Sequence, residues 1–408
     1  MFQRQNKVTL RELTLGMDWI KEQSEELQNE LIELRRNFHA HPELGFEEHQ
    51  TSKKVEEYLQ SLGLQTERVA KTGVVAMIEG AEDGPVLMLR ADMDALPIQE
   101  ENTVDYVSKN PGVMHACGHD AHMSMLMGAA KILSNNKELI KGKIKLVFQP
   151  NEENAGALPM IEEGVLDKPK VDGAVGVHIW TPLPSGVVGI SSGGVMSGLY
   201  IFEIKVKGYG GHSGYPETAI DPVIAASDIV LSAQRIQTRE ISSMKPMTMI
   251  FGQINGGTKA NIIPDEVILN GSIRTLYDDS GDQPIYRLER LARDVSKTHG
   301  CECEVSWIRE NIPLINDESM TEHMKKTAIE VVGADRVVPY STMASEDFSE
   351  FTARIPGVFL FLGTGNEEIG TNFPHHNPRF NIDESVLHLG VELYVRGSIQ
   401  YLGNCTKN

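Results

Sequence analysis

The run Met114-His115-Ala116-Cys117-Gly118-His119-Asp120-Ala121-His122-Met123 gathers three histidines, one cysteine and one aspartate within ten residues. Imidazole, thiolate and carboxylate are the side chains that bind transition metals. The run leaves a turn at Pro111-Gly112 and enters residues 121–133, whose Ala, Met and Leu content and length predict a helix. A loop feeding a helix N-terminus is a common place for a site in an α/β protein. One His or Cys here would read as a core or surface residue. The density of donors turns the reading toward a metal.

The rest of the chain bounds what such a site serves. At 408 residues it exceeds one ordinary core, so two domains are expected. With 40% hydrophobic and 23% charged residues its composition is globular. A formal charge of −19 argues against nucleic acid and anionic membranes as partners, because both reward Lys and Arg. No apolar run is long enough to span a bilayer, and the first residues lack an apolar signal core. Cys117, Cys301, Cys303 and Cys405 show no framework spacing, which fits a reducing, cytoplasmic compartment.

In chain order, residues 1–16 read as a loose extension and residues 17–38 as one amphipathic helix. His39-Ala40-His41-Pro42 is open to two readings, a ligand pair or a structural turn. Residues 51–62 predict a second helix. A buried strand over 86–90 delivers Asp92-Met93-Asp94, carboxylates that face a ligand or cap a turn. A second strand, 143–148, ends in Glu152-Glu153, and a third, 174–177, ends in His178. Two adjacent like charges straight after a buried strand are costly without a cation.

From Ser197 the pattern changes. Strands over 200–207, 247–254, 267–275 and 302–307 and helices over 221–236 and 284–299 follow the order βαββαβ, the ferredoxin-like split motif. The expected fold is therefore α/β with two domains. An αβα catalytic, metal-binding domain with a central mixed sheet is formed discontinuously by 1–196 and 312–408. An inserted lid or dimerisation domain spans 197–311. Helix and strand alternation resumes at 319–332 and 358–362, followed by a loop holding His375-His376 and a closing helix over 385–401. Cys301 and Cys303 read as packing residues of the insert, and Cys405 as part of a frayed tail.

Seven stretches together resemble the metal-dependent aminoacylase-type amidohydrolases, the group of N-acyl-L-amino-acid amidohydrolases, hippurate hydrolases and auxin-conjugate hydrolases. They are Arg35-Arg36-x-x-His39-x-His41-Pro42-Glu43-Leu44-Gly45-Phe46-x-Glu48, Arg90-Ala91-Asp92-Met93-Asp94-Ala95-Leu96-Pro97, His115-Ala116-Cys117-Gly118-His119-Asp120, Phe148-Gln149-Pro150-x-Glu152-Glu153, Gly210-Gly211-His212-Ser213, Asn261-Ile262-Ile263-Pro264-Asp265 and Ser345-Glu346-Asp347-Phe348. The resemblance implies two divalent metal ions (Mn, Zn, Co or Ni) held by Cys117, His119, Glu153, His178 and His376. Cys117 would bridge them, with His119 and His178 on one ion and Glu153 and His376 on the other. The neighbouring His375 is set aside because the family's ligand stands two residues before a proline, here Pro378. Asp94 would orient a ligand. His212 would stabilise the oxyanion, with the insert building a homodimer or higher homo-oligomer, and Asn261 and Arg274 would hold the α-carboxylate of the substrate.

The chemistry so implied is hydrolysis of a small N-acyl-amino acid to a carboxylic acid and a free amino acid. Coordination lowers the pKa of water from about 15.7 toward 7, giving a metal-bound hydroxide as nucleophile. Glu152, beside a ligand yet not needed as one, is the expected general acid/base. The alternatives are a dipeptidase or carboxypeptidase on the same site, or a non-catalytic metal-binding protein.

Overall fold

A computed structural model of the chain describes residues 17–281 and 283–405. The extension expected over residues 1–16 lies outside them. The described residues divide into two compact units. One comprises the chain up to Gly193, Asn316–Ser341 and the chain from Glu350 onward, and the other Gly194–Ile315 with Thr342–Ser349. The second unit is thus a little wider than residues 197–311, and it recruits eight residues from beyond the insertion.

The first unit is built on an eight-stranded mixed sheet. Its strands run in the order Thr66–Val69, Gly73–Glu79, Lys141–Gln149, Glu82–Asp92, Gly173–Pro184, Gly357–Gly365, Val188–Gly189 and Val337–Val338. The four middle strands, Lys141–Gln149 to Gly357–Gly365, are mutually parallel. They are buried along most of their length, as a parallel sheet covered on both faces requires. The Gly173–Pro184 strand does not end at His178 as expected. Its pairing with Gly357–Gly365 persists to Gly365↔Pro184, so His178 stands inside the strand, opposite Phe361.

Helix His119–Asn135 is buried on every face except at Lys131, Ser134 and Asn135, which explains the run of apolar and small residues over 125–130. It packs against helices Gln28–His39 and Leu387–Cys405. A Cβ on Gly128 would lie 2.7 Å from Leu31 Cδ2 and 3.0 Å from Val391 Cγ2, so only glycine permits that approach. The single helix expected over 17–38 is two, Asp18–Glu26 and Gln28–His39. At Leu27 the amide reaches back to Ser24 O at 3.2 Å, a tighter i−3 turn that interrupts the run without Pro or Gly. The tail predicted to fray is helical through Cys405.

The second unit carries a four-stranded antiparallel sheet ordered Met247–Gly256, Glu266–Thr275, Gly198–Lys207 and Glu302–Asn311. Helices Pro222–Arg235 and Pro284–Thr298 complete the βαββαβ order and share its core with Tyr200, Phe202, Leu269 and Leu288. Cys301 is buried in that core and Cys303 packs against it. No helix among the described residues is long and apolar enough to cross a membrane.

Candidate metal centre and active site

Parallel strands bring their C-terminal ends to one edge, and the donors gather there. Asp92 pairs in register with Gln149, so the turn that follows Gln149 emerges beside it. Arg90 pairs with Gly176, which places His178 at the level of Asp92 on the next strand. The loop carrying Cys117 then enters the long buried helix through Gly118. That residue adopts φ +89, and a Cβ there would lie 2.4 Å from Ile179 Cδ1. Gly118 therefore satisfies both a left-handed turn and a close approach.

The donor atoms of Cys117, His119 and His178 lie within 4.8 Å of one another, and so do those of Cys117, Glu153 and His376. The two groups share the thiol. Glu152 forms a further group with His119 and Glu153 under the same spacing. Hydrogen bonds fix which nitrogen of each histidine faces the cluster. His119 Nδ1 lies 2.8 Å from Asp94 O and His178 Nδ1 lies 2.6 Å from Ile179 O. Both carbonyls accept, so each Nδ1 carries a proton and each Nε2 is the nitrogen turned to the cluster. His178 Nε2 lies 3.6 Å from Cys117 Sγ.

Glu152 and Glu153 sit on one 3-10 turn between Asn151 (φ 54) and Ala155 (φ 62), both left-handed without being glycine. Such backbone costs about 1–2 kcal/mol per residue and needs support. Asp94 supplies it, accepting the Glu152 amide on Oδ1 at 3.0 Å and the Glu153 amide on Oδ2 at 3.1 Å. Glu48 Oε1 accepts the Asn151 amide at 2.9 Å. His376 is left-handed too (φ 64), its amide bonded to Ala116 O at 2.8 Å, and its Nε2 stands 3.4 Å from Glu153 Oε1. Its neighbour His375 is committed elsewhere, stacked on Trp180 at 4.3 Å with Nε2 on Ile179 O at 3.1 Å.

Not every donor of the sequence belongs to the cluster. His39 is buried between Asp120 Oδ2 (2.7 Å) and Glu100 Oε1 (3.1 Å), and His41 is exposed. His122 accepts the Ile179 amide on Nε2 at 2.9 Å, so its Nδ1 donates to Asp92 Oδ1 at 2.6 Å. Both nitrogens are used, and His122 pins the two central strands together. Its spacing from His119, three residues on one helix face, was the available signal. The support given by Asp92 and Glu48 had none, since their partners are distant in sequence.

His212, Asn261 and Arg274 belong to the second unit. His212 pairs with Ile262 in a short ribbon, and the Ser213 amide reaches Asn261 O at 3.3 Å. The Gly214 amide donates to His212 Nδ1 at 3.0 Å, which leaves the exposed Nε2 as the donor of a neutral ring. Arg274 is half-buried, and its Nη1 bonds Met343 O at 2.9 Å and Ser345 Oγ at 3.0 Å.

The first-unit cluster fits cations. His119 Nε2 and Glu153 Oε1 are buried and have no hydrogen-bond partner among the described residues. Burial opposes a charge on His119, yet Asp92 and Asp94 outweigh it and raise the pKa to about 10. A position that favours a proton so strongly favours a metal ion for the same reason. Burial and the neighbouring His122 and His375 hold His178 well below the usual imidazole range, in its ligating form.

Imidazole, thiol and carboxylate donors in two groups that share Cys117, with a second carboxylate alongside, define a metal-dependent hydrolase that works with divalent cations. The profile of the peptidase family M20/M25/M40 matches residues 88–397, and the chain belongs to this family. It is 38% identical to thermostable carboxypeptidase 2 of Saccharolobus solfataricus, over 94% of this chain and 98% of that one. It is 37% identical to the N-acetyl-L-cysteine deacetylase of Bacillus subtilis, over 88% and 85%. Among solved structures it superposes on the Bacillus subtilis YXEP protein, a dinuclear metal-binding peptidase of the M20 family. The TM-score is 0.81 and the identity 32%, with 93% of this chain and 99% of that one covered.

Proposed function

We propose that the chain hydrolyses the amide bond of small N-acyl-amino acids, releasing a carboxylic acid and a free amino acid. The reading is carried by one observation, the convergence of Cys117, His119, His178, Glu153 and His376 beside Glu152. Cys117 would bridge two cations, His119 and His178 completing one set and Glu153 and His376 the other. The thiolate and imidazole donors suit Zn²⁺, and the mixed N/O set also accepts Mn²⁺, Co²⁺ or Ni²⁺, of which the resemblance favours Mn²⁺. When bound, the pair supplies Lewis acidity, polarising a carbonyl and making water nucleophilic at neutral pH.

The protein's own groups do the rest. Glu152 takes a proton from the attacking water as its oxygen bonds to the carbonyl carbon. It then delivers that proton to the amine nitrogen as the C–N bond breaks. His212 donates from Nε2 to the developing oxyanion. Asn261 and Arg274 hold the α-carboxylate, and Asp94 keeps the glutamate turn and His119 in place. The likeness to a carboxypeptidase favours a second reading, cleavage of a C-terminal peptide bond by the same groups.

A homodimer through the second unit and a cytoplasmic location complete the proposal. The dimer is supported by an exposed, uncharged edge strand. Location is supported by the lack of disulfides among the described cysteines.

The test is to strip the protein, reload it with Mn²⁺, Zn²⁺ or Co²⁺, and assay N-acetyl, N-benzoyl and N-lauroyl amino acids beside dipeptides. Turnover of the acyl conjugates is expected, and turnover of dipeptides alone would favour the peptidase. Glu152→Gln is expected to keep both metals and lose about 10²–10⁴-fold in kcat. A variant with near-normal kcat would remove Glu152 from this role.

A further inference from the structure

The Ser345-Glu346-Asp347-Phe348 stretch meets Arg274 through its first residue, Ser345. Even-numbered residues of strand Glu266–Thr275 face away from the two helices, and Arg274 lies among them, between Thr248 and Leu199 on the neighbouring strands. Its Nη1 meets three acceptors, Met343 O at 2.9 Å, Ser345 Oγ at 3.0 Å and Ser197 Oγ at 3.4 Å. Ser197 is buried, and its hydroxyl donates to the same Met343 carbonyl at 2.7 Å. Backbone bonds fix this segment in place, Ser197 N to Ala344 O at 2.7 Å and Thr342 N to Val195 O at 2.9 Å. The insert thus draws in a distant stretch of chain, and that stretch seats one guanidinium.

All three acceptors are neutral. Among the described residues no carboxylate lies within ion-pair distance of the half-buried Arg274, and burial outweighs the field of Glu310, the one acidic group that acts on it from further away. A partly desolvated cation with no anion in direct contact is costly unless a ligand provides one. Nη1 has two protons and more than two acceptors, so it is saturated. Nε and Nη2 form the other edge of the fork and carry no hydrogen bond among the described residues. That edge has the geometry to take a carboxylate by two parallel bonds.

We propose that Ser345, with Ser197 and the Met343 carbonyl, clamps Nη1 of Arg274 and so presents the Nε/Nη2 edge to the α-carboxylate of the substrate. Ser345 is then a positioning residue for carboxylate recognition. The proposal rests on the N-acyl-amino-acid reading and names the residues that set its selectivity. A guanidinium free to rotate would still attract an anion but would lose the alignment of two bonds.

The experiment compares N-acetyl-L-methionine with N-acetyl-L-methioninamide on the Mn²⁺-loaded wild type and on Ser345→Ala, Ser345→Val and Ser345→Thr. Wild type is expected to favour the acid. Ser345→Ala and Ser345→Val are expected to lower the acid-to-amide ratio of kcat/KM about tenfold, through KM and with kcat little changed. Ser345→Thr, which keeps the hydroxyl in the bulk of valine, restores the ratio. Equal losses on both substrates, or a threonine variant no better than valine, would overturn the clamp. Calorimetric binding of the same two compounds to Glu152→Gln protein, with and without the Ser345 substitutions, reads the ratio without turnover. Absence of hydrolysis with the ratio intact therefore fails the proposed reaction alone, and a wild type indifferent to the carboxylate fails the clamp.

Discussion

Asp94 joins the glutamate turn to His119. One carboxylate accepts two successive amides of the glutamate turn, and the backbone oxygen of the same residue sets the tautomer of His119. A carboxamide in its place retains one acceptor and turns a donor toward the second amide. Asp94→Asn is therefore expected to weaken metal binding about 10–100-fold, although Asp94 is not assigned as a ligand. Chelator competition followed by metal analysis measures this, and an unchanged affinity would deny Asp94 the role. The sequence displays the ligand candidates because their donors are chemically rare and closely spaced. It does not display what Asp94 and Glu48 do, because their hydrogen bonds run to residues 58 and 103 positions away.

At the scale of the elements, the entry of the long buried helix is tied to its surroundings by charge. Arg35 is fully buried and donates to Asp120 at 2.9 Å, to Glu384 at 3.1 Å and to Asn381 at 3.1 Å. His39, one helical turn from Arg35, lies between Asp120 and Glu100. Burial and Arg35 oppose its protonation, but the carboxylates prevail and its pKa is raised. A group whose folded pKa exceeds its unfolded value, about 6.5 for His, contributes fully below that pH. The contribution is lost as pH rises through the folded value. The stability difference between wild type and His39→Gln should therefore be largest near pH 6 and shrink above it, as denaturant unfolding of metal-free protein would read. A difference that grows with pH would contradict this.

Periodicity made the helices and buried strands readable, because both follow from which face meets the core. It missed the break at Leu27, where the amide turns back to Ser24 O with no Pro or Gly to mark it. It also missed the hairpin Thr66–Val69 with Gly73–Glu79, which completes one edge of the sheet through tertiary pairing.

For the whole molecule, the βαββαβ order marked the insert, but the recruitment of Thr342–Ser349 into the second unit was invisible, since it is a contact between distant segments. The two edges of the insert's sheet differ in a way that bears on assembly. Glu302–Asn311 carries Glu302, Glu304, Arg309 and Glu310, charges that discourage another strand from pairing with it. Met247–Gly256 has no charged residue or proline, and its Ile250 and Ile254 are 58% and 60% exposed. Two copies that each carry a formal charge of −19 repel one another, so an uncharged strand is where they can meet. Pairing this strand with its own copy about a two-fold axis would join two four-stranded sheets and cover both isoleucines. Wild type is expected to be a dimer by light scattering. Ile250→Lys with Ile254→Lys, which places like charges opposite one another across the axis, should halve the mass while the fold by circular dichroism persists. A monomeric wild type, or a double variant that remains dimeric, would place the contact elsewhere or remove it.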